Sequence, residues 1–454
     1  MKTDKHRCWG GLTGIIAVVL LACCIAGPLF ASEAISKPNI LIITLDNLGY
    51  SDLPCFNADS EVIAPNFDRL SAEGARLTNF YTASPTCTVS RACLLTGRIA
   101  RRHGLTKQLP GIEGNYGRGL ALSEILIPQV LSKAGYATGC FGKWNIGFAP
   151  GSRPTERGFD EFFGHASGNI DYYTHVYNGK HDMHRGIEEA YVEGYAPDLF
   201  ADAAIDFIDR QQSKPWFVYL PFNSPHFPNQ RNKAPGEEVI WQAPDEAFEA
   251  YGYGPQTRDA KKRYRAVLTA LDLSLGRVLD YLKEVGADEK TFVFVFSDNG
   301  AFMLEDRGLE VSSNAPLRNG GVTCWEGGLR VAAWARWPGH IEEGSTIEEP
   351  LWSPDLMIAC AGLSESNLPK DRQYDGRDPL PVLTAGAESP HQSLHFEYHK
   401  HAALRKVDWK IVRTKPTEPW QLFNLADDLG ETTNLAETHQ EKLMELVGEF
   451  NGWQ

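Results

Sequence analysis

The chain is short of basic charge. Its 454 residues carry 44 Lys and Arg against 58 Asp and Glu, a formal net charge of −14. That balance argues against nucleic acid as the main partner, because binding a phosphate backbone needs a cationic surface. A small anionic substrate is still compatible with it, since a few clustered cations set the local field. Cysteine is sparse too, with nine in all. Cys8, Cys23 and Cys24 lie near the N-terminus, and Cys55, Cys87, Cys93, Cys140, Cys324 and Cys360 are scattered. This is neither a disulfide framework nor a zinc spacing, although one or two disulfides stay open. After residue 31 no run is long and apolar enough to span a bilayer. Internal repeats, low-complexity tracts and flexible linkers are missing as well.

What is present begins with an export signal. Lys2, Lys5 and Arg7 precede an uncharged run from Gly10 to Ala31. A basic start, an apolar stretch and small residues near Ala31 predict a secretory signal over 1–31, hence a periplasmic, secreted or lumenal protein. The run is also long enough for an uncleaved anchor, and Leu20-Leu21-Ala22-Cys23 weakly resembles a lipoprotein box. The length exceeds a typical single domain, and 43% hydrophobic residues support a substantial core.

Pro38 to Leu45 is β-branched without alternation, which predicts a buried, central parallel strand. Asp46-Asn47 follow it. Trp216 to Phe222 and Thr291 to Phe296 read the same way; His226 lies beyond the first and Ser297-Asp298-Asn299-Gly300 follow the second. Short helices are expected over Asn66–Gly74, Leu122–Ala134 and Asp198–Gln211. A long one is expected over Asp259–Val285, where Tyr264, Val267, Leu268, Leu271, Leu275, Val278, Leu279 and Leu282 keep helical spacing and Gly286 ends it. Lys143 and Asn145 follow a strand at Ala137–Phe141. Pro150 to Glu193 reads as a long loop. Strand, polar cluster and helix recur, which predicts an α/β fold: a large, mostly parallel sheet between helices, over 36–378. From 379 to 454, four short strands and a final helix predict a small antiparallel sheet with one helix.

The chemistry concentrates in Ser84 to Arg98, S-P-T-C-T-V-S-R-A-C-L-L-T-G-R, which follows a strand-like run and opens a helix. Cys87 falls at the helix start, where free N–H groups and the dipole favour an anion. Arg91 lies one turn on, on the same face, and its guanidinium can grip two oxygens of an oxyanion. Asp46, Asn47, Asp298 and Asn299 are oxygen-rich pairs at strand ends and suit a hard divalent cation. Taken singly, each pair is ordinary turn chemistry, and Cys87 alone could be a packing residue.

These segments resemble the type I sulfatases, of the wider alkaline phosphatase-like fold. Cys87, Arg91 and Leu95-Thr96-Gly97-Arg98 match C-x-P-x-R followed by L-T-G-R. Asp46 to Leu53, D-N-L-G-Y-S-D-L, resembles the first motif of the family, and Ser297 to Gly300 matches S-D-N-G. Phe141 to Gly147 resembles G-K-W-H-L-G, and Pro225-His226-Phe227-Pro228 resembles P-H-x-P. Asn314 to Arg330 resembles the family's N-x-P-L-R…W-E-G-G-x-R segment, including Arg318. Tyr374-Asp375-Gly376 and Leu422 to Ala436 match its C-terminal motifs.

The resemblance implies hydrolysis of a sulfate ester, of a sulfated carbohydrate or an aryl sulfate. It implies oxidation of Cys87 to formylglycine by a formylglycine-generating enzyme. It implies one divalent cation, calcium with magnesium as alternative, on Asp46, Asn47, Cys87, Asp298 and Asn299. Arg91 and Lys143 would hold the sulfuryl group, His226 would protonate the leaving oxygen, and Asn145 and Arg318 would contact substrate. Four positions depart from the pattern: Val89 replaces the Pro read by the maturing enzyme, Asn47 an Asp, Asn145 a His, and Gly321 the active-site Lys. They motivate a rival reading, a sulfatase-fold protein that binds sulfated glycans without turnover; the wider superfamily supplies another, a two-metal phosphohydrolase.

Overall fold

The computed structural model describes residues 37–109, 119–227, 241–303 and 310–453. The expected signal over 1–31 lies outside them. The main sheet is assembled from β1 (Asn39–Leu45), β2 (Ala75–Tyr81), β3 (Ala137–Lys143) and β4 (Glu161–His165), with short strands β5 (Val176–Tyr177), β6 (Lys180–His181), β7 (His184–Arg185) and β8 (Glu188–Glu189) following. Then come β9 (Trp216–Pro221), β10 (Thr291–Ser297), β11 (Arg330–Arg336), β12 (Ser345–Ile347) and β13 (Leu351–Trp352). The sheet runs β12-β2-β11-β10-β1-β9-β3-β4-β7-β8, with β13 also on β2, while β5 and β6 pair separately.

At the centre, β1 runs parallel to β10 and β9, and β3 parallel to β9 and β4. β11 runs antiparallel between β10 and β2. Because side chains alternate across a strand, the central strands feed two cores. Leu41, Ile43, Leu45, Val293 and Val295 pack on the face covered by helix Ala260–Glu284. Ile40, Ile42, Phe292, Phe294 and Phe296 pack on the opposite face with Leu94, Leu95, Ile127 and Leu131.

The long helix keeps its expected bounds. Asp259 caps it by accepting from the Lys262 N–H at 3.1 Å, and all eight periodic apolar residues are buried. Helix Leu122–Ala134 is shorter than its pattern suggests and spans Ile127–Lys133. Pro128 belongs in a first turn, and the Gln129 side chain turns back to accept from Leu126 N–H at 2.9 Å. The Pro150–Glu193 stretch is not one loop, since it carries β4, which adds to the parallel sheet beside β3.

The C-terminal sheet is β14 (Leu394–Tyr398), β15 (His401–Lys406), β16 (Trp409–Arg413) and β17 (Gln421–Asn424), antiparallel in chain order. Leu446 and Phe450 of helix Gln440–Gly452 cover one face at Leu404, Ile411 and Leu422. The other face, Phe396, Ala403, Val412 and Phe423, packs with Tyr81, Val89, Cys93 and Trp325. A buried ion cluster fastens this contact. The Lys410 ammonium lies 2.8 Å from both Glu326 and Glu431, all three fully buried, and the Tyr81 hydroxyl donates to Glu326 at 2.5 Å.

Behind Glu326 the backbone crosses the loop after β10. A Cβ on Gly300 would lie 1.7 Å from the Gly327 carbonyl oxygen, and one on Gly327 would lie 2.2 Å from the Asn319 carbonyl oxygen, so neither position can carry a side chain. Among the described residues no helix is long and apolar enough to cross a membrane, and all six cysteines are free.

Candidate active site

Four strand ends deliver the site. Asp46 leaves β1, Asp298 leaves β10, Lys143 closes β3, and Cys87 opens helix Cys87–Thr96 just beyond β2. One ligand atom each from Asp46, Cys87 and Asp298 lie within 4.8 Å of one another, all buried. The helix holds residue 87 in place because all ten of its side chains are buried and Gly97, at φ +67°, caps its end.

Two cations are locked to two carboxylates. Lys143 Nζ sits 2.5 Å from Asp46 Oδ2, both fully buried. Arg91 donates from Nε to Asp298 Oδ2 at 2.9 Å, with Nη2 at 2.7 Å, and from Nη1 to the Lys143 carbonyl at 2.9 Å. Asn47, at φ +65°, donates its backbone N–H to Asp298 Oδ1 at 3.3 Å and accepts from the Asn299 amide at 2.6 Å. Asp46 Oδ1 and Asn299 Oδ1 are buried with no hydrogen-bond partner among the described residues. Leaving such oxygens unsatisfied costs about 1–3 kcal/mol each, and a hard cation would satisfy both.

Burial dominates the protonation behaviour. It raises Asp46 and Asp298 despite the pull of Lys143 and Arg91. It also raises the Cys87 thiol, although Lys143 opposes it. The helix terminus and nearby cations therefore do not make residue 87 a thiolate; as a plain cysteine it is a poor nucleophile.

His226 reaches the same neighbourhood from beyond β9. Burial first, then Lys143, lowers its pKa to about 3. Its Nδ1 lies 2.7 Å from the Phe227 carbonyl and 3.2 Å from the Asn169 amide nitrogen; the carbonyl can only accept, so its contact places the proton on Nδ1 and leaves Nε2 unprotonated. Asn169 donates to the same carbonyl at 2.6 Å.

Asn145 donates to Cys87 Sγ at 3.3 Å. Gln108, which the sequence did not signal, donates to the same sulfur at 3.0 Å and accepts from Thr88 N–H at 3.2 Å. It sits in an unpatterned stretch that offered no cue. Arg318 is not tied to this cluster. It is exposed, stacks 3.8 Å from the Trp325 ring centroid and donates to the Glu431 carbonyl at 2.6 Å. Gly321 has no room for a side chain: its Cβ would lie 2.1 Å from the Phe302 ring. Phe302 meets His226 edge-on at 6.3 Å, so an aromatic ring fills space next to the site. Val89 is fully buried in the contact with the C-terminal sheet.

The protein-family model for Sulfatase matches residues 38–363. The chain belongs to the sulfatase family. This sulfatase is 31% identical to mouse N-acetylgalactosamine-6-sulfatase over 439 residues, covering 91% of the chain and 80% of that protein. It is 34% identical to human arylsulfatase A over 401 residues, 81% and 72% of the two chains. Among solved structures, that of Ps i-CgsB in complex with k-i-k-neocarrahexaose superposes with a TM-score of 0.82 at 28% identity, over 92% of this chain and 93% of that one. The sulfatases are sulfuric ester hydrolases, and the fold, a mostly parallel sheet with a small C-terminal antiparallel sheet, is theirs.

Proposed function

We propose that this enzyme hydrolyses a sulfate monoester on a sulfated carbohydrate, with residue 87 working as formylglycine beside one divalent cation, calcium in preference to magnesium. The observation that carries the reading is the convergence of Asp46, Cys87 and Asp298 within 4.8 Å, beside two orphaned oxygens and two buried cations. Asp46, Asn47, Asp298, Asn299 and residue 87 would hold the ion. Once present, the cation supplies Lewis acidity and formylglycine supplies a hydroxyl nucleophile.

The chain's own side chains define the rest. Arg91 and Lys143 neutralise the two carboxylates, so a dication leaves the pocket net positive, which favours a sulfate anion. Gln108 and Asn145 point amide donors at the reacting atom of residue 87 and can hold an oxygen there. His226 is neutral with Nε2 free, so it needs the charge of a bound sulfate to take up the proton it would deliver to the leaving oxygen. Asn145 cannot act as a base near neutral pH, which should slow the final release of sulfate. Asn145 contacts substrate in this scheme, while Arg318 braces the Trp325 turn.

We further propose that residues 36–378 form the catalytic domain and 379–454 a packed subdomain, and that the chain is exported. N-terminal sequencing of the mature protein checks the latter. Mass spectrometry of the peptide containing Cys87, after co-expression with a formylglycine-generating enzyme, tests the mechanism, paired with a sulfate-release screen on sulfated oligosaccharides. The expected result is an aldehyde at residue 87 and released sulfate; unmodified thiol throughout would remove the hydrolytic reading. Phe302 in the space beside Gly321 favours one second reading, sulfated-glycan binding without turnover. Retained affinity with no sulfate release would select it. A metal content near two ions per chain would instead revive the phosphohydrolase.

A further inference from the structure

A cavity of about 480 Å³ opens beside the nucleophile helix, between the Ala100–His103 helix with its following loop and the β14–β15 hairpin. Arg101, Lys107, Lys400 and Arg413 line it, with Tyr398 and His401. Arg101 is committed to Glu397, with donors at 2.6 and 2.9 Å. The other three cations have no acidic partner among the described residues. Lys107 and Lys400 are exposed. Arg413 stacks 4.5 Å from the Trp420 ring centroid, which steadies the guanidinium without neutralising it. Three uncompensated cations in one concavity are unexpected on a chain with net charge −14. The one carboxylate in the lining, Glu397, is taken up by Arg101.

The cavity shares a wall with the reacting centre. Lys107 directly precedes Gln108, whose amide touches Cys87 Sγ at 3.0 Å. Tyr398, which also lines the cavity, is buried. The trough therefore begins one residue from the amide that touches Cys87.

We infer that the trough binds a second anionic substituent, a sulfate or carboxylate, on the sugar next to the one being desulfated, through Lys107, Lys400 and Arg413. The inference rests on the hydrolytic reading for its place in catalysis, though the binding it describes does not. Concave cationic walls concentrate the field, so the preference should be salt-sensitive.

The test compares two disaccharides of equal length, one with a single sulfate and one with two. Both are titrated by calorimetry into a C87A protein, and both serve as substrates for the matured enzyme. The doubly sulfated ligand should bind about threefold to tenfold more tightly at low salt. That preference should shrink at high salt and vanish in K107A/K400A and K107E/K400E variants, whose exposed positions leave the fold intact by circular dichroism. A third ligand with one sulfate and one carboxylate shows which anion is preferred. No preference in the native chain, or one that survives both double variants, overturns the trough. If matured enzyme releases no sulfate from any ligand yet the preference holds and is lost in the variants, the trough stands and the hydrolytic reading falls. Sulfate release without preference removes the trough alone.

Discussion

Asn145 combines a backbone demand with a chemical one. Its φ of +56° is left-handed, a region that Asn, Asp and His enter more readily than other side chains, and its amide reaches Cys87 Sγ. Asn145→His can therefore adopt the same backbone while adding an imidazole next to residue 87. If breakdown of the sulfated enzyme limits turnover, kcat for sulfate release should rise by about 10- to 100-fold, the usual range of a positioned base. No rise in steady-state assays would show that another step or another group governs it. Asn47 invites the converse experiment. It too is left-handed and holds Asp298 and Asn299. Asn47→Asp adds a negative charge to an oxygen cluster, and calcium affinity by calorimetry should increase on the order of tenfold.

Among the elements, those built from strong patterns were legible and those built from exceptions were not. The β-branched run of β1 and the eight-residue stripe of the long helix were readable because burial on a sheet or helix face imposes a period. β4 was missed because Glu161 to His165 is embedded among Gly, Asp and Tyr, and only its pairing with β3 makes it a strand. Gln108 and Asn169 were invisible because a polar residue in a loop acquires its role from what lies across space. The Asp, Asn, Cys, Arg and Lys positions were legible through short motifs, and the structure draws them together; Arg318, equally visible in its motif, stacks on Trp325. The loss of Lys at position 321 could be read, but its occupant could not. Restoring it by Gly321→Lys should overpack against Phe302 and cost about 1–3 kcal/mol in urea melts, eased by a second change, Phe302→Ala. At the Lys410 cluster, Glu326→Gln breaks a fully buried ion contact and should cost about 3 kcal/mol by the same measurement. A loss below 1 kcal/mol would mean that Glu431 alone satisfies the ammonium.

For the whole molecule, acid response follows from two opposed sets of buried groups. Burial lowers His103, His165 and His226 from 6.5 to about 3, and His395 to about 4. The unfolded chain takes up these protons where the fold does not, so their contribution is full above about pH 6.5 and is lost as pH falls toward 3. Burial raises Asp52 and Asp272 from 3.8 to about 6, and Glu431 from 4.5 to about 7. Their contribution is full below about pH 4 and is lost as pH rises through those values. Between about pH 4.5 and 6 the three carboxyls offset all but one of the four imidazoles, and below 3.8 the imidazoles stand alone, at up to about 1.4 kcal/mol per group per pH unit. Denaturant midpoints of chelated protein across pH 3 to 8 should show a shallow slope between about pH 6 and 4.5 and then a steep acid fall; an even decline from neutrality contradicts this balance.

The crossing of Gly300 and Gly327 reaches further still. One strand of that crossing leads straight from Asn299, the other straight from Glu326 and so to Lys410. Removing the last 76 or so residues would free the second strand from its anchor, and with it the wall against which the loop of Asp298 and Asn299 rests. The tail of the polypeptide thus acts as a keystone for a loop far from it in sequence, and a truncated form should lose the arrangement of Asp298 and Asn299 before it loses its shape.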